Sequence, residues 1–346
     1  MPLGLVPRDA AFRMNEMNRS AISFAALWLT ALGLLSLLGT MVAAPSAACG
    51  QQASGLLPVT VEIGDSKAVV QAAGELFAEY DFTSYARPIL YPLLGPGQVS
   101  LVRHWPMRAD VAGEAHDHPH HKSLWFAHGD VNGLDFWSEK ARIKNLRIGL
   151  ASTESEEWPG LIAVNQWMGT EGVVCNESAT LRFAAMEHTR FIDCRYQLTS
   201  EQEVVFGDTK EGTFALRTHP ALNLTSTSDG PPPGHAENSE GDRDQAIWGK
   251  PARWVAYFGT IDGQPYGLAI LDHPGNLRHP TTWHARDYGL VAANPFGLHD
   301  FLQRPRGAGD FRLKPGEALT LRYRVILFRG PYHRENIVGW FDQFAR

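Results

Sequence analysis

Apolar and polar residues alternate with period two over much of the chain beyond residue 56. Arg190–Thr199 is the clearest stretch. Ile192, Cys194, Tyr196 and Leu198 face one way, and Asp193, Arg195, Gln197 and Thr199 face the other. That pattern predicts a strand with one buried face. Ala318–Val325 repeats it after the turn Lys314-Pro-Gly-Glu317. Further strands are predicted over Pro58–Ile63, Gln98–His104, Leu161–Met168, Ala179–Glu187, Thr213–Thr218, Arg253–Thr260 and Gly267–Asp272. Helical periodicity is strongest at the C-terminus, where Ile337, Trp340, Phe341 and Phe344 share one face of Arg334–Ala345. Many strands joined by short turns predict an all-β fold, a large sandwich or barrel with a short C-terminal helix. Thr225–Asp244, containing Pro231-Pro-Pro-Gly234, is the one long polar loop and has the size of a loop lying over a site. Residues 56–346 are read as a single domain.

The start of the chain breaks this pattern. Arg8, Arg13 and Arg19 precede an apolar run from Ala21 to Ala44, and no charged residue occurs between Arg19 and Glu62. Small residues follow up to Cys49. A basic start, an apolar core and a small-residue exit predict that 1–49 is an N-terminal extension with an export signal. The protein is then expected in the periplasm or outside the cell. The run is also long enough for an uncleaved anchor, and Cys49 after Ala-Ala gives a lipoprotein alternative. Two cysteines remain, Cys175 and Cys194, either paired in an oxidising compartment or free and buried.

A formal charge of −6 with no Lys/Arg run gives no case for nucleic acid. No Gly-x-Gly-x-x-Gly at a strand–helix junction, P-loop, Gly-x-Ser-x-Gly or His-Glu-x-x-His motif occurs, so nucleotide cofactors and common hydrolase machinery are unsupported.

Histidines carry the chemistry that is left. Five of fourteen, His116, His118, His120, His121 and His128, fall in thirteen residues that run into the aromatic stretch ending at Trp137. Imidazoles serve as acids, bases or ligands. On a strand, His118 and His120 would share a face, the arrangement for one divalent metal, with Asp117 and Asp130 completing or orienting the shell, while His121 would point away. The main expectation is metal-free, with the histidines in catalysis or substrate binding. A second polar group is Lys210–His219. Arg217 and His219 are expected on one strand face, with Glu211 at the strand entrance. The third is Asp272–Gly297, where His284 and Arg286 are expected to project together and Trp283 to face the core.

Several blocks resemble one bacterial family. They are Arg87-Pro-Ile-Leu-Tyr-Pro-Leu93, His118 through Trp137, Glu211-Gly-Thr-Phe-Ala-Leu-Arg217, Trp248-Gly-Lys250 and Trp283 through Phe296. They look like the family labelled PmoA-like, or methane oxygenase PmoA. The methane monooxygenase subunit of that name is a multi-span membrane protein. With one apolar segment, in its leader, this chain does not inherit that activity. The resemblance implies a secreted protein of carbohydrate metabolism. Thr218-His-Pro-Ala-Leu-Asn-Leu224 and Leu313-Lys-Pro-Gly-Glu317 are similar to elements of galactose mutarotases, which implies a β-supersandwich using a histidine acid and a carboxylate base on a sugar ring. The expected function is therefore carbohydrate binding and general acid–base processing of epimerase, mutarotase, lyase or hydrolase type. The catalytic candidates are His120, His121, His219 and His284, with Glu211 or Asp300 as base. Arg217, Arg286, Asn294 and Asp130 are expected to hold hydroxyls, and Trp125 or Trp137 to stack on a sugar face. The alternatives are a metal-dependent oxygenase or hydrolase, and a non-catalytic sugar-binding module. Contact with a membrane is expected only through the N-terminal segment.

Overall fold

In the computed structural model, residues 55–152, 158–226 and 232–346 are described. The chain divides between Gln51 and Gln52, and all of these residues belong to the second unit. The expected export segment, with Cys49, and residues 227–231 of the polar loop lie outside the described residues.

Two eight-stranded antiparallel sheets carry the alternating pattern. The first runs, edge to edge, β1 (Val59–Ile63), β2 (Lys67–Ala72), β3 (Glu75–Asp81), β4 (Ile89–Leu93), β5 (Leu124–His128), β11 (Gly212–Arg217), β16 (Leu290–Asn294) and β15 (Thr282–Ala285). The second runs β12 (His235–Asn238), β13 (Trp254–Ile261), β14 (Gln264–Asp272), β18 (Ala318–Arg329), β9 (Thr189–Thr199), β8 (Gly172–Met186), β7 (Gly160–Gly169) and β6 (Arg142–Leu150). A two-stranded ribbon, β10 (Val204–Phe206) with β17 (Phe311–Leu313), completes the sheets among the described residues. The fold is an all-β sandwich of the large class expected. Two short helices accompany it, α1 (Leu298–Leu302) and the C-terminal α2 (Arg334–Phe344).

Aromatic contacts tie the sheets together. Phe126 of β5 stacks on Tyr196 of β9 at 4.1 Å, and Phe214 of β11 on Tyr323 of β18 at 4.5 Å. These are the inward-facing positions of the period-two pattern. On the far face of the second sheet, Ile337 and Phe341 of α2 bury Phe191, Trp254 and Leu271. The apolar stripe read from the C-terminal sequence thus has a sheet to cover.

Three expectations about this scaffold change. The expected loop Thr225–Asp244 contains the strand β12, paired with β13. Gln98–His104 is not a strand. It makes only isolated bridges, Leu94 with Ser100 and Val102 with Thr218, because it runs along the end of the first sheet and bonds to strand ends and the residues beyond them, such as Leu93, Arg217 and His219. The cysteines are free and buried. Cys194 faces Leu181, six residues along β8 from Cys175, so the thiols stand roughly 20 Å apart along the strand, far beyond disulfide reach.

Candidate functional site

Strand register decides which side chains share the outer face of the first sheet. Ala215 pairs with Trp125 on one side and Ala292 on the other, and Ala292 pairs with His284. Phe126 and Phe214 point into the sandwich, so this neighbouring row points out. Arg217, two residues beyond Ala215, extends it. The same register sets Leu124 opposite Leu216, Arg217 opposite Leu290 and Ala285 opposite Val291. The segment entering β5, the segment leaving β11 and the β15–β16 turn therefore emerge at one end of the sheet. Two alanines in the floor leave room above it for larger side chains.

The histidine segment fills that room as a turn, not as the strand expected. His121 N donates to His118 O at 2.9 Å, Lys122 N donates to His120 O at 3.1 Å, and His118 has φ of 43°. Strand alternation, which would have parted His120 from His121, does not operate. The ring of His118 stacks on His121 at 4.7 Å, and His120 meets His121 edge-on at 4.5 Å. Tyr288 stacks on His118 at 4.9 Å.

Two buried arginines hold the turn by its carbonyls. Arg87 donates to His120 O, to Phe136 O at 3.2 Å and to Trp137 O at 2.9 Å. Arg103 donates to the carbonyls of Ala115, His118 and His121, and to Asp117. Asp117 also accepts from Arg217 at 3.0 Å and has His118 Nδ1 at 2.8 Å. The Arg217 guanidinium lies 4.5 Å from the centre of the Tyr288 ring, and that of Arg286 lies 5.5 Å from it.

Burial sets the protonation states. It pushes His120 down to about 4, helped by Arg87, and drives His121 further down, helped by His120 and Arg217. His284 falls to about 3 through burial and then Arg286. Burial would raise the Asp117 carboxyl, but Arg217, His118 and Arg103 outweigh it and hold it below the usual range. Burial raises the Tyr288 hydroxyl. At neutral pH His120, His121 and His284 are unprotonated, beside an ionised Asp117 and a protonated Tyr288. The Glu211 carboxylate acts on both His120 and Tyr288, opposing the fall of the first and adding to the rise of the second.

His118, His120, Tyr288, Arg286, Glu211 and Lys210 are the part-exposed members, open to a ligand. Glu211 pairs with Lys210 at 2.9 Å. Among the described residues, no hydrogen bond or ion pair engages the Arg286 guanidinium. His284 joins from beneath, with Nδ1 on Lys210 O at 3.0 Å. His121 and Arg217, each 1% exposed, position the exposed rings and do not themselves reach a ligand. No three His, Cys, Asp or Glu among the described residues are placed to hold a metal ion.

Six further site candidates take roles other than those expected. Trp125 and Trp137 lie fully buried under His121, at 5.4 and 5.7 Å, so they form the floor and no sugar can stack on them. His219 sits past the end of β11, caps a short 3-10 turn by accepting from Ala221 N, and has Glu114, His104 and Asp262 as its charged neighbours. The strand stops at Arg217, so the two do not share a face. Asn294 is fully buried and spends both amide atoms on Thr209 O, Phe296 N and Gly297 N. Asp130 accepts from Gly133 N in a tight turn. Asp300 accepts from Lys210 N and thereby anchors the entrance of β11. Asn294→Ala is accordingly expected to cost about 2–3 kcal/mol in chemical denaturation, with ligand affinity in the surviving folded fraction unchanged.

Arg87, Arg103 and Tyr288 were not among the expected site residues. Arg87 and Tyr288 lie in or beside the family-like blocks, but nothing in a sequence shows that an arginine will be buried against carbonyls.

Together these features define a β-sandwich with a histidine-rich polar site on the outer face of one sheet. Residues 67–342 match a family described as a family of unknown function, DUF6807, and the chain belongs to that family. No curated protein matches the chain. Several solved structures are similar at low identity. An α-galactosidase from Geobacillus stearothermophilus is 12% identical over 78% of this chain and 40% of its own, with a TM-score of 0.37. A polysaccharide lyase is 12% identical over 80% of this chain and 33% of its own, at 0.30. A glycoside hydrolase family 97 enzyme from Pseudoalteromonas is 9% identical over 78% and 33%, at 0.31. The chain spans about two fifths or less of the length of these proteins, and none is similar enough to carry an activity across.

Proposed function

We propose that the chain binds a carbohydrate at the His118–His120–Tyr288 site and transfers a proton to or from it. The observation that carries this is the part-exposed set of His120, Tyr288 and Arg286 on the outer sheet face, the Arg286 guanidinium free of hydrogen bonds and ion pairs among the described residues, with the Glu211 carboxylate acting on His120 and Tyr288 from the entrance of β11. A polyhydroxylated ligand matches that set. It offers donors to neutral imidazoles and a carboxylate, and acceptors to a guanidinium fork. The resemblance of the His118–Trp137 block to the PmoA-like family supports the same reading. In the proposed step, His120 takes a proton from a sugar hydroxyl or from a carbon beside a carbonyl. Glu211 stabilises the imidazolium that forms, Arg286 holds the oxygen that gains charge, and His120 later returns the proton.

One observation favours a second reading, non-catalytic sugar binding. A base near 4 is weak at neutral pH, whereas the best catalytic pKa lies near the working pH. Both readings are tested together. Calorimetry against a panel of monosaccharides and oligosaccharides finds the ligand, and NMR follows its turnover. Arg286→Ala is expected to weaken binding about ten-fold or more. His120→Ala is expected to lower turnover about 10²–10⁴-fold with a smaller loss of affinity. Binding without turnover in the wild type selects the second reading. Wild-type affinity in both variants rejects the site.

A further inference from the structure

The outer face of the second sheet carries a cavity of about 860 Å³ beside the C-terminal end of α2. Cross-strand register organises its floor in two rows. In the first, Arg182, Asp193 and Arg324 stand abreast, and the Asp193 carboxylate accepts from Arg324 Nε and Nη2 at 2.5 and 2.6 Å. The charges alternate, as a stable sheet surface requires. Two residues along the strands, the second row sets Thr180, Arg195 and Arg322 abreast, with no carboxylate among them. Arg195 and Arg322 are direct cross-strand partners and both are exposed. Like charges directly opposite destabilise a sheet. Among the described residues neither guanidinium has an ion pair or hydrogen bond. Arg346 lines the same cavity, and its guanidinium is also unengaged. Ile162, opposite Thr180 and 39% exposed, adds an apolar wall.

Unrelieved like charge inside a concavity is the electrostatic signature of an anion site. We propose that this cavity binds a ligand bearing two or more oxyanion groups, carboxylates or sulfate or phosphate esters, with Arg195 and Arg322 as paired forks. Guanidinium geometry suits all of these groups, because each presents two oxygens to one fork. The site lies on the sheet opposite the histidine cluster and does not depend on the carbohydrate reading of that cluster.

Binding is measured by calorimetry with trigalacturonate, pyrophosphate and, as a neutral control, maltotriose, together with the melting temperature in the presence of each. The expected result is that at least one of the two anions binds and raises the melting temperature, while maltotriose leaves this site unaffected. Arg195→Gln and Arg322→Gln should each weaken anion binding about ten-fold or more. Neither should lower the melting temperature of the ligand-free protein, since each relieves repulsion. Preference for trigalacturonate assigns the site to acidic sugars, and preference for pyrophosphate to phosphate esters. Absence of binding by both anions, or equal binding by wild type and both variants, overturns the proposal. A loss of stability in both ligand-free variants also overturns it, because it would make the two arginines structural.

Discussion

Arg87→Leu is expected to destabilise the protein by about 3–5 kcal/mol and to remove ligand binding at the histidine site. Arg87 is 1% exposed and sits over the Trp125 ring at 5.2 Å. It donates to three carbonyls, those of His120, Phe136 and Trp137, and pairs with Glu139 at 3.3 Å. Leucine fills part of the volume but leaves buried acceptors unpaired, at about 1–3 kcal/mol each. Glu139 keeps Lys122 as a partner, which limits the electrostatic loss. For a domain of this size the change lowers the melting temperature by on the order of 10 °C. Arg87→Lys should fall between, because it keeps the charge and loses the fork. A shift below about 2 °C for Arg87→Leu would mean that the carbonyls find other donors and that the clamp is incidental.

Acidification from pH 7 to pH 5 is expected to cost about 4 kcal/mol. Burial lowers His121, His128 and His284, with His128 at about 4 and His284 at about 3. Their unfolded values lie near 6.5. The unfolded chain therefore binds protons that the folded protein refuses, and stability falls as the pH drops below about 6.5. Each imidazole that stays neutral at pH 5 loses about 2 kcal/mol over this interval. One buried group works the other way. Burial pushes Glu177 up to about 7 against its hydrogen bonds from Asn165 and Trp167. It is protonated more readily in the folded state than in the unfolded one, so it gives back about 2 kcal/mol on acidification. The histidines outweigh it. Thermal melts at pH 7 and pH 5 should differ by on the order of 10 °C, with the lower value at pH 5. Equal or higher stability at pH 5 would mean that these rings are protonated in the folded state.

The sequence made the scaffold legible where one face of a strand is buried and the other wet. Arg190–Thr199, Ala318–Val325 and the C-terminal stripe of Ile337 and Phe341 formed as the alternation predicted. Strands buried on both faces show no such alternation: Thr213–Thr218 and Gly267–Asp272 were expected all the same, whereas β5 and β16 were not. Every residue of β5, β15 and β16 is buried, because the histidine turn and its neighbours cover the outer face. Those are the strands that carry the site. Composition drew attention to the segments 118–121, 211–217 and 284–294, but not to what their side chains would touch. Trp125 and Asn294 have the chemistry of ligand-binding residues, yet full burial directs them to the floor and to the backbone. The positioning role of Arg103 depends on a turn that positive φ at His118 creates, and no local residue pattern announces it.

The most direct test of the central claim is saturation-transfer NMR on the wild-type protein with pooled neutral monosaccharides and oligosaccharides, repeated with Arg286→Ala and His120→Ala. Transfer to at least one sugar is predicted in the wild type, with affinity by titration about ten-fold or more weaker in Arg286→Ala and less weakened in His120→Ala, while the melting temperatures of both variants stay within about 2 °C of the wild type. Transfer of equal strength in wild type and both variants, or no transfer from any pool, would contradict a carbohydrate site at the histidine cluster.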